Sequence, residues 1–514
     1  MIARLRFVPR LTPAARVATI AILSVAAAPA VASATSLSAH SGPGGALGAL
    51  AVVPSTVLTD PSGAAAEQFG AALAFDGNTA VVGAPKKTVD GTTEQGAAFV
   101  FVRSGSSWIQ QAMLAADDGA ASDLFGAAVD IEGDTLVVGA PGHGGLGAVC
   151  VFVRSGTTWT QQADIPGFGF TFGSAVAVSN GTLVVGAKTE PNGPPNAWPT
   201  GAAYVFSYNG TTWTQQARLL ASDGGANDLF GAAVDVRSDG IVVVVGAPGN
   251  QAGAGAAYTF LSLGTPWTQD GKMVASDAAA GDAFGTSLAM DGSTIAAGAP
   301  GHTGQGAVYV FLGWQQLVEL TGAQGAAGDM IGASVDLVDT GIMDDPPSAS
   351  TVVAGAPGHG EGCAFIFNTG TYSMTGWNEQ PIVTASDGVV GDAFGSSVAI
   401  AGPTLLVGTP MRATGQGAVC ALGIKPGVPV LKSPKGLIKS RTPWLKWKAA
   451  AGAKTYQVRI YKGSRLLKSK IGLTYPWWKC TMRLPRDVWL TWKARAVTGG
   501  GTGAWSGKLR FQVR

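Results

Sequence analysis

A chain of 514 residues is too long for one ordinary hydrophobic core, so several domains are expected. Its 75 glycines, without a collagen-like triplet, call for the many tight turns of an all-β protein. A hydrophobic fraction of 46% excludes a disordered chain, and the net charge of +2 conceals a strong internal asymmetry described below.

Arg4, Arg6, Arg10 and Arg16 precede a short apolar run from Val17 to Ala28, and Ala32-Ser33-Ala34 follows as a small-x-small cleavage pattern. Residues 1–34 therefore read as a signal peptide cut after Ala34. The run is shorter than the twenty or so apolar residues a bilayer span needs, and no later segment supplies them. The expected location is extracellular or on the cell surface, with no transmembrane segment. Residues 35–49 are a Gly/Ser/Ala-rich linker. Cys150, Cys363, Cys420 and Cys480 are too few and too scattered for a disulfide framework, and they read mostly as small buried hydrophobes.

Internal repetition dominates residues 50–424. Phe-Gly pairs stand at Phe69-Gly70, Phe125-Gly126, Phe172-Gly173, Phe230-Gly231, Phe284-Gly285 and Phe394-Gly395, with Ile331-Gly332 as a degenerate copy, at a mean period of about 54 residues. An alternating segment such as Ala127 to Ile131 follows each pair, then a tight turn such as Glu132-Gly133. Next comes an apolar run ending in Gly-Ala-Pro, as in Val137 to Pro141. Alternation predicts a half-buried strand and the continuous run one buried on both faces. A third strand (Ala148 to Val153) and a fourth (Trp159 to Ala163) complete the unit. Four strands in each of seven tandem units predict a seven-bladed β-propeller. The seventh unit ends near Ile424 without a fourth strand, and Leu50 to Leu58 is expected to supply it and close the ring.

These motifs resemble the FG-GAP repeats of integrin α-chain propellers and their bacterial relatives, over about residues 50–424. Calcium-binding members of that family carry an Asp-rich loop between the Phe-Gly strand and the Gly-Ala-Pro strand. Here the connection is a tight turn in six repeats, too short to wrap a cation in six to eight oxygens. The sixth is longer and holds Asp339, Asp344 and Asp345, but its Pro346-Pro347 and its spacing do not fit the pattern. No metal is expected from the resemblance.

Composition changes at Lys425. Residues 425–514 resemble a fibronectin type III domain, through Trp444-Leu445-Lys446-Trp447, Tyr456 to Ile460 and Trp489 to Ala496, predicting a small immunoglobulin-like β-sandwich. Residues 428–514 hold 20 Lys and Arg against Asp487 alone, and the propeller region is correspondingly acidic. Three readings stay open for this charge: contact with an anionic polymer or surface, docking on the acidic propeller, or solubility. Seven of the fourteen tryptophans lie here, and Trp477-Trp478-Lys479 is a candidate stacking and charge site.

Candidate chemistry on the propeller is sparse. His143, His302 and His359 share the slot after Gly-Ala-Pro-Gly, in the loop between second and third strands. That loop is expected on the same end of the disc as the crossings before Phe-Gly. Those crossings carry Asp117 and Asp123, Asp223 and Asp228, Asp277 and Asp282, and Asp387 and Asp392. Together they mark a candidate ligand-binding face, although repetition around a ring also suits a purely structural turn. No nucleophile elbow, His-Glu-x-x-His, phosphate loop or Cys-x-x-Cys is present. The expectation is therefore a non-enzymatic secreted or cell-surface binding protein without cofactor, acting as a monomer. Its propeller face would recognise an extracellular protein or glycan, and its basic module an anionic cell-wall polymer. A secreted polymer-degrading hydrolase or lyase, or a structural envelope protein, is the alternative.

Overall fold

The computed structural model describes residues 39–40, 51–105, 107–191, 199–264, 266–338, 350–369, 376–425, 429–448, 450, 455–498 and 501–514. The expected signal peptide, most of the linker, residues 192–198 and the Asp339, Asp344 and Asp345 segment lie outside them.

The second repeat shows how the sequence pattern becomes structure. Ala128–Glu132, Thr135–Ala140, Ala148–Ser155 and Thr158–Pro166 pair antiparallel in chain order. The first strand alternates partly exposed and buried residues, while the second is buried at every position from Leu136 to Ala140. Five further sheets, spanning 72–114, 172–219, 234–273, 287–320 and 334–383, repeat this order. In the fifth of these the outer position is divided between Trp377–Glu379 and Ile382–Val383, and Ala39–His40 pairs with the latter. Residues 398–425 supply only three strands. The fourth is Ala51–Leu58, which pairs antiparallel with Ala418–Lys425 as the repeat count requires.

Neighbouring sheets are joined through glycine. A Cβ on Gly83 of the first repeat would sit 2.0 Å from the carbonyl oxygen of Gly126 in the second, so the two backbones meet where no side chain fits. The same contact joins the last repeat to the first, where a Cβ on Gly408 would meet the carbonyl oxygen of Gly70 at 2.2 Å. This explains why the Phe-Gly and Gly-Ala-Pro signals recur together. Each Phe anchors the junction: Phe125 is fully buried and meets Phe152 edge-on at 6.0 Å between ring centres. Burying such a ring contributes about 2–3 kcal/mol. Ile331 does the same work at the degenerate copy, fully buried and bridged to Gly306 as the phenylalanines are to their glycines. The first strands pack against one another in sequence and back to the start, giving a β-propeller.

Beyond Lys425, Val430–Ser433, Trp444–Lys448 and Trp477–Lys479 form a three-stranded sheet. Gly436–Ile438, Leu509–Val513, Trp489–Thr498, Thr455–Lys462 and Arg465–Leu473 form the main path of a second, six-stranded one. The two share one core in which Leu445, Trp447 and Trp478 of the first meet Tyr456, Ile460 and Trp492 of the second. All four cysteines are buried free thiols. Among the described residues no helix is long and apolar enough to cross a membrane.

Candidate functional site

The slot two residues past the Gly-Ala-Pro proline, or past its counterpart, is polar in all seven repeats: Lys87, His143, Glu190, Asn250, His302, His359 and Arg412. Six of the seven slot side chains reach an acidic group of their own repeat, and the seventh, Glu190, is itself the acid, met by Tyr204 OH and by Arg218. His143 Nδ1 lies 2.9 Å from Asp123, His302 Nδ1 3.0 Å from Asp282, and His359 Nδ1 2.7 Å from Asp329. Asn250 donates to Asp228 at 2.7 Å, and Arg412 pairs with Asp387. Histidines and crossing carboxylates thus share one end of the disc.

The carboxylate two residues before Phe-Gly is chiefly structural. Asp123, Asp228, Asp282, Asp329 and Asp392 each accept the backbone N–H three residues earlier, closing the crossing turn. The acid seven residues before Phe-Gly is the one that faces solvent. Counted this way, the second repeat offers Asp118, not Asp117, to its histidine: Asp118 lies 3.7 Å from His143 Nε2, while Asp117 is exposed and its backbone N–H meets Gln161. Reading the crossings for recurring acid pairs misses Asp118 and Asp329. The fixed offset from the glycine would have found both.

Charge on this end differs by repeat. In the first, third, fourth and seventh repeats a lysine or arginine meets the acids directly, as Lys87 with Asp60 and Glu67, Arg218 with Glu190, Lys272 with Asp223, and Arg412 with Asp387. Burial pushes Asp223 up, but donation from Lys272 and Tyr258 outweighs it and holds the carboxyl below its ordinary value. The second and fifth repeats use histidine among several acids instead. The hydrogen bond with Asp123, reinforced by the charges of Asp123, Asp118 and Asp164, raises His143 above its ordinary pKa despite partial burial.

A second polar set lines the axis. Asp130, Asp235 and Asp336 occupy the same position of the first strand in the second, fourth and sixth repeats, and the other four repeats carry Ala74, Ala177, Ala289 and Ala399 there. They border a space of about 260 Å³ lined by the first strands and open to solvent. Burial raises Asp130 to about 6 and Asp336 to about 7, against hydrogen bonds from backbone amides that pull both down. Asp235 rises as well, by burial first and then by the charge of Asp130.

On the C-terminal module, Trp444, Lys446, Trp477 and Lys479 point outward from the three-stranded sheet, with Trp444 opposite Lys479 and Lys446 opposite Trp477. Lys479 Nζ lies 5.6 Å from the Trp444 ring, and Tyr475 stacks on Trp477 at 5.1 Å. Trp478 departs from the expected stacking site: it is 8% exposed and belongs to the core, because successive strand residues face opposite ways. On the second sheet, Arg459, Lys493 and Arg495 all lie within 4.7 Å of the Trp505 ring centre.

The family model for the FG-GAP repeat matches residues 55–101, 108–152, 168–206, 213–260, 267–311 and 377–420, together just over half of the chain. The chain belongs to the FG-GAP repeat family. Among solved structures, the crystal structure of the RRP9 WD40 repeats is similar at a TM-score of 0.47 and 12% identity, covering 73% of this chain and all of that one. No curated protein matches the chain. The stretch between the fifth and sixth FG-GAP matches contains Ile331-Gly332, where the signature residue is replaced but the sheet is kept. In the FG-GAP repeats of this chain the first two strands meet through turns such as Asp76 to Thr79 and Glu132 to Thr135. The acids near them serve neighbouring backbone: Asp76 accepts from Gly133, and Glu132 from Asn180.

Proposed function

We propose that this chain is an exported, non-enzymatic binding protein, built as a seven-bladed propeller followed by an immunoglobulin- or fibronectin type III-like sandwich. The crossing-loop face of the propeller recognises an extracellular protein or glycan. The basic module holds the protein to an anionic surface such as a cell-wall polymer. The observation that carries this reading is the outward face of the three-stranded sheet, where Trp444 and Trp477 alternate with Lys446 and Lys479 across paired strands. Aromatic faces next to ammonium groups suit anionic polymers, which offer flat apolar patches and charge in alternation. Exposed tryptophan on a strand is costly to keep without a partner, and Trp444 and Trp477 are 44% and 42% exposed.

The sandwich reading rests on two sheets over one core and on the strand order within them. The seven-blade reading rests on the pairing of Ala51–Leu58 with Ala418–Lys425 and on the glycine contact between the last and first repeats. To test the function, the full chain is incubated with immobilised anionic and neutral polysaccharides of similar length. Retention on the anionic polymer alone, reduced in the Trp477→Ala, Lys479→Ala double variant, supports it. Equal retention on both, unchanged in the variant, overturns it.

A further inference from the structure

Within the repeated face, the fourth and fifth repeats are built on one scaffold that differs at two side chains. In the fourth, Tyr258 OH donates to Asp223 Oδ1 at 2.7 Å, Asn250 donates to Asp228, and Lys272 Nζ lies 2.6 Å from Asp223 Oδ2 and 3.0 Å from Asn250 Oδ1. In the fifth, Tyr309 OH donates to Asp277 Oδ1 at 2.8 Å, His302 takes the place of Asn250, and Asp282 that of Asp228. The residue at the position of Lys272 is Glu319 on the outer strand, paired with Tyr309 as Lys272 is with Tyr258. A built-in ammonium has been exchanged for a carboxylate, while the aspartate it neutralised keeps its counterpart in Asp277.

The orientation of His302 makes this exchange consequential. Its Nδ1 faces Asp282 Oδ2, which accepts, so in the neutral ring Nδ1 carries the proton and Nε2 presents a lone pair. Nε2 points at Glu319 Oε1, 3.3 Å away, and Asp277 Oδ2, 3.6 Å away. Three acceptors thus converge, all within 4.8 Å of one another, as the ligand atoms of one cation would. Ligand atoms about 2.1 Å from one ion lie about 3.0–3.4 Å apart, close to the 3.3 and 3.6 Å from His302 Nε2 to its two carboxylates. A carboxylate on the far ring nitrogen is the usual orienting partner of a metal-bound histidine. The ring is 7% exposed but Asp277 and Glu319 are open to solvent, which leaves a way in.

We propose that Asp277, His302 and Glu319 bind a divalent first-row transition-metal ion, with Asp282 and Tyr309 positioning the ligands. One imidazole and two carboxylates suit Mn²⁺, Fe²⁺, Co²⁺, Ni²⁺ or Zn²⁺, whereas Ca²⁺ and Mg²⁺ favour all-oxygen sites. The second repeat is a looser version. His143, Asp118, Asp123 and Asp164 recur there, but Cys150 replaces the tyrosine that would orient Asp118.

The test is isothermal titration of the purified full chain with Zn²⁺ and with Mn²⁺, alongside Glu319→Lys, which installs the lysine of the fourth repeat, and Glu319→Gln and His302→Gln. Circular dichroism confirms that each variant is folded. The expected result is one metal equivalent fewer in every variant than in the wild type, and a 10- to 100-fold weaker site in Asp282→Asn. Sites elsewhere in the chain are common to all proteins and cancel in the difference. Equal stoichiometry in the wild type and the folded variants would overturn the proposal.

Discussion

The carboxylate of Asp130 accepts the backbone N–H of Val178 in the next repeat at 2.7 Å and that of Ile131 in its own strand at 2.8 Å. Asp235 joins Val236 to Met290 in the same way, and Asp336 joins Leu337 to Ile400. Three aspartates thereby satisfy six of the seven equivalent inner-edge amides two at a time, which is why the acid alternates with alanine around the axis. Seven is odd, and Phe75 stands outside the pairs. Unpaired inner-edge amides are a cost in any propeller, and here side chains on the innermost strands meet it.

These aspartates give stability a pH dependence of known sign. Asp336 titrates near 7 when folded against an ordinary value of 3.8, so the native state holds its proton longer than the unfolded state. Its contribution is full below about pH 4 and is lost as pH rises to about 7. Asp336→Ala, the residue of the alternate repeats, should cost about 2 kcal/mol at pH 5 through two unmet amides. At pH 8 the cost should be smaller, because the ionised carboxylate is itself penalised. Urea unfolding of both proteins at the two pH values measures the difference, and an equal or larger cost at pH 8 contradicts this assignment.

Gly408→Ala should strain the junction between the last repeat and the first. The added methyl would meet the carbonyl oxygen of Gly70 at 2.2 Å, and backbone cannot rotate away as a side chain would. A loss of about 3 kcal/mol is expected, seen as a lower midpoint in denaturant. Gly133→Ala at a turn whose Cβ meets nothing within 4 Å should cost less, through its positive φ alone.

Lys87 is buried between Asp60 and Glu67 at 2.6 and 3.2 Å. Burial opposes its charge, but the two carboxylates outweigh that and raise its pKa. Lys87→Met leaves two buried acids without a cation and should cost about 3–5 kcal/mol at pH 7. Thermal unfolding of the wild type and the variant at pH 7 checks this.

Trp477 and Trp478 should separate binding from folding. Trp478→Ala removes a core side chain and should cost about 3–5 kcal/mol. Trp477→Ala should leave the unfolding midpoint nearly unchanged and lower retention on an anionic polymer. Denaturation curves paired with retention assays distinguish the two.

Much of the fold was legible because each repeat needs the same glycine-to-backbone contact, so Phe-Gly and Gly-Ala-Pro recur with little freedom. The outer strand Ala51–Leu58 could be placed because the last repeat was one strand short. The polar details were less visible. Trp477 and Trp478 differ by one residue, and in a strand that decides between surface and core. Asp117 and Asp118 are equally adjacent in sequence, and only the offset from Phe125-Gly126 chooses between them. Asp130, Asp235 and Asp336 each read as an ordinary half-buried strand position, because alternation around a ring shows only when repeats are compared in register.

We propose that the basic module, with 20 Lys and Arg against a single acid over residues 428–514, holds an acidic propeller to an anionic surface. The most direct measurement is the affinity of the full chain for an anionic polysaccharide between about 50 and 500 mM salt, across which the screening length, about 10 Å at 0.1 M, falls roughly threefold. A steep loss of affinity with salt, flattened when Lys446 and Lys479 are changed to Glu, is the predicted result. Affinity that is independent of salt, or unaltered by those two charge reversals, would contradict it.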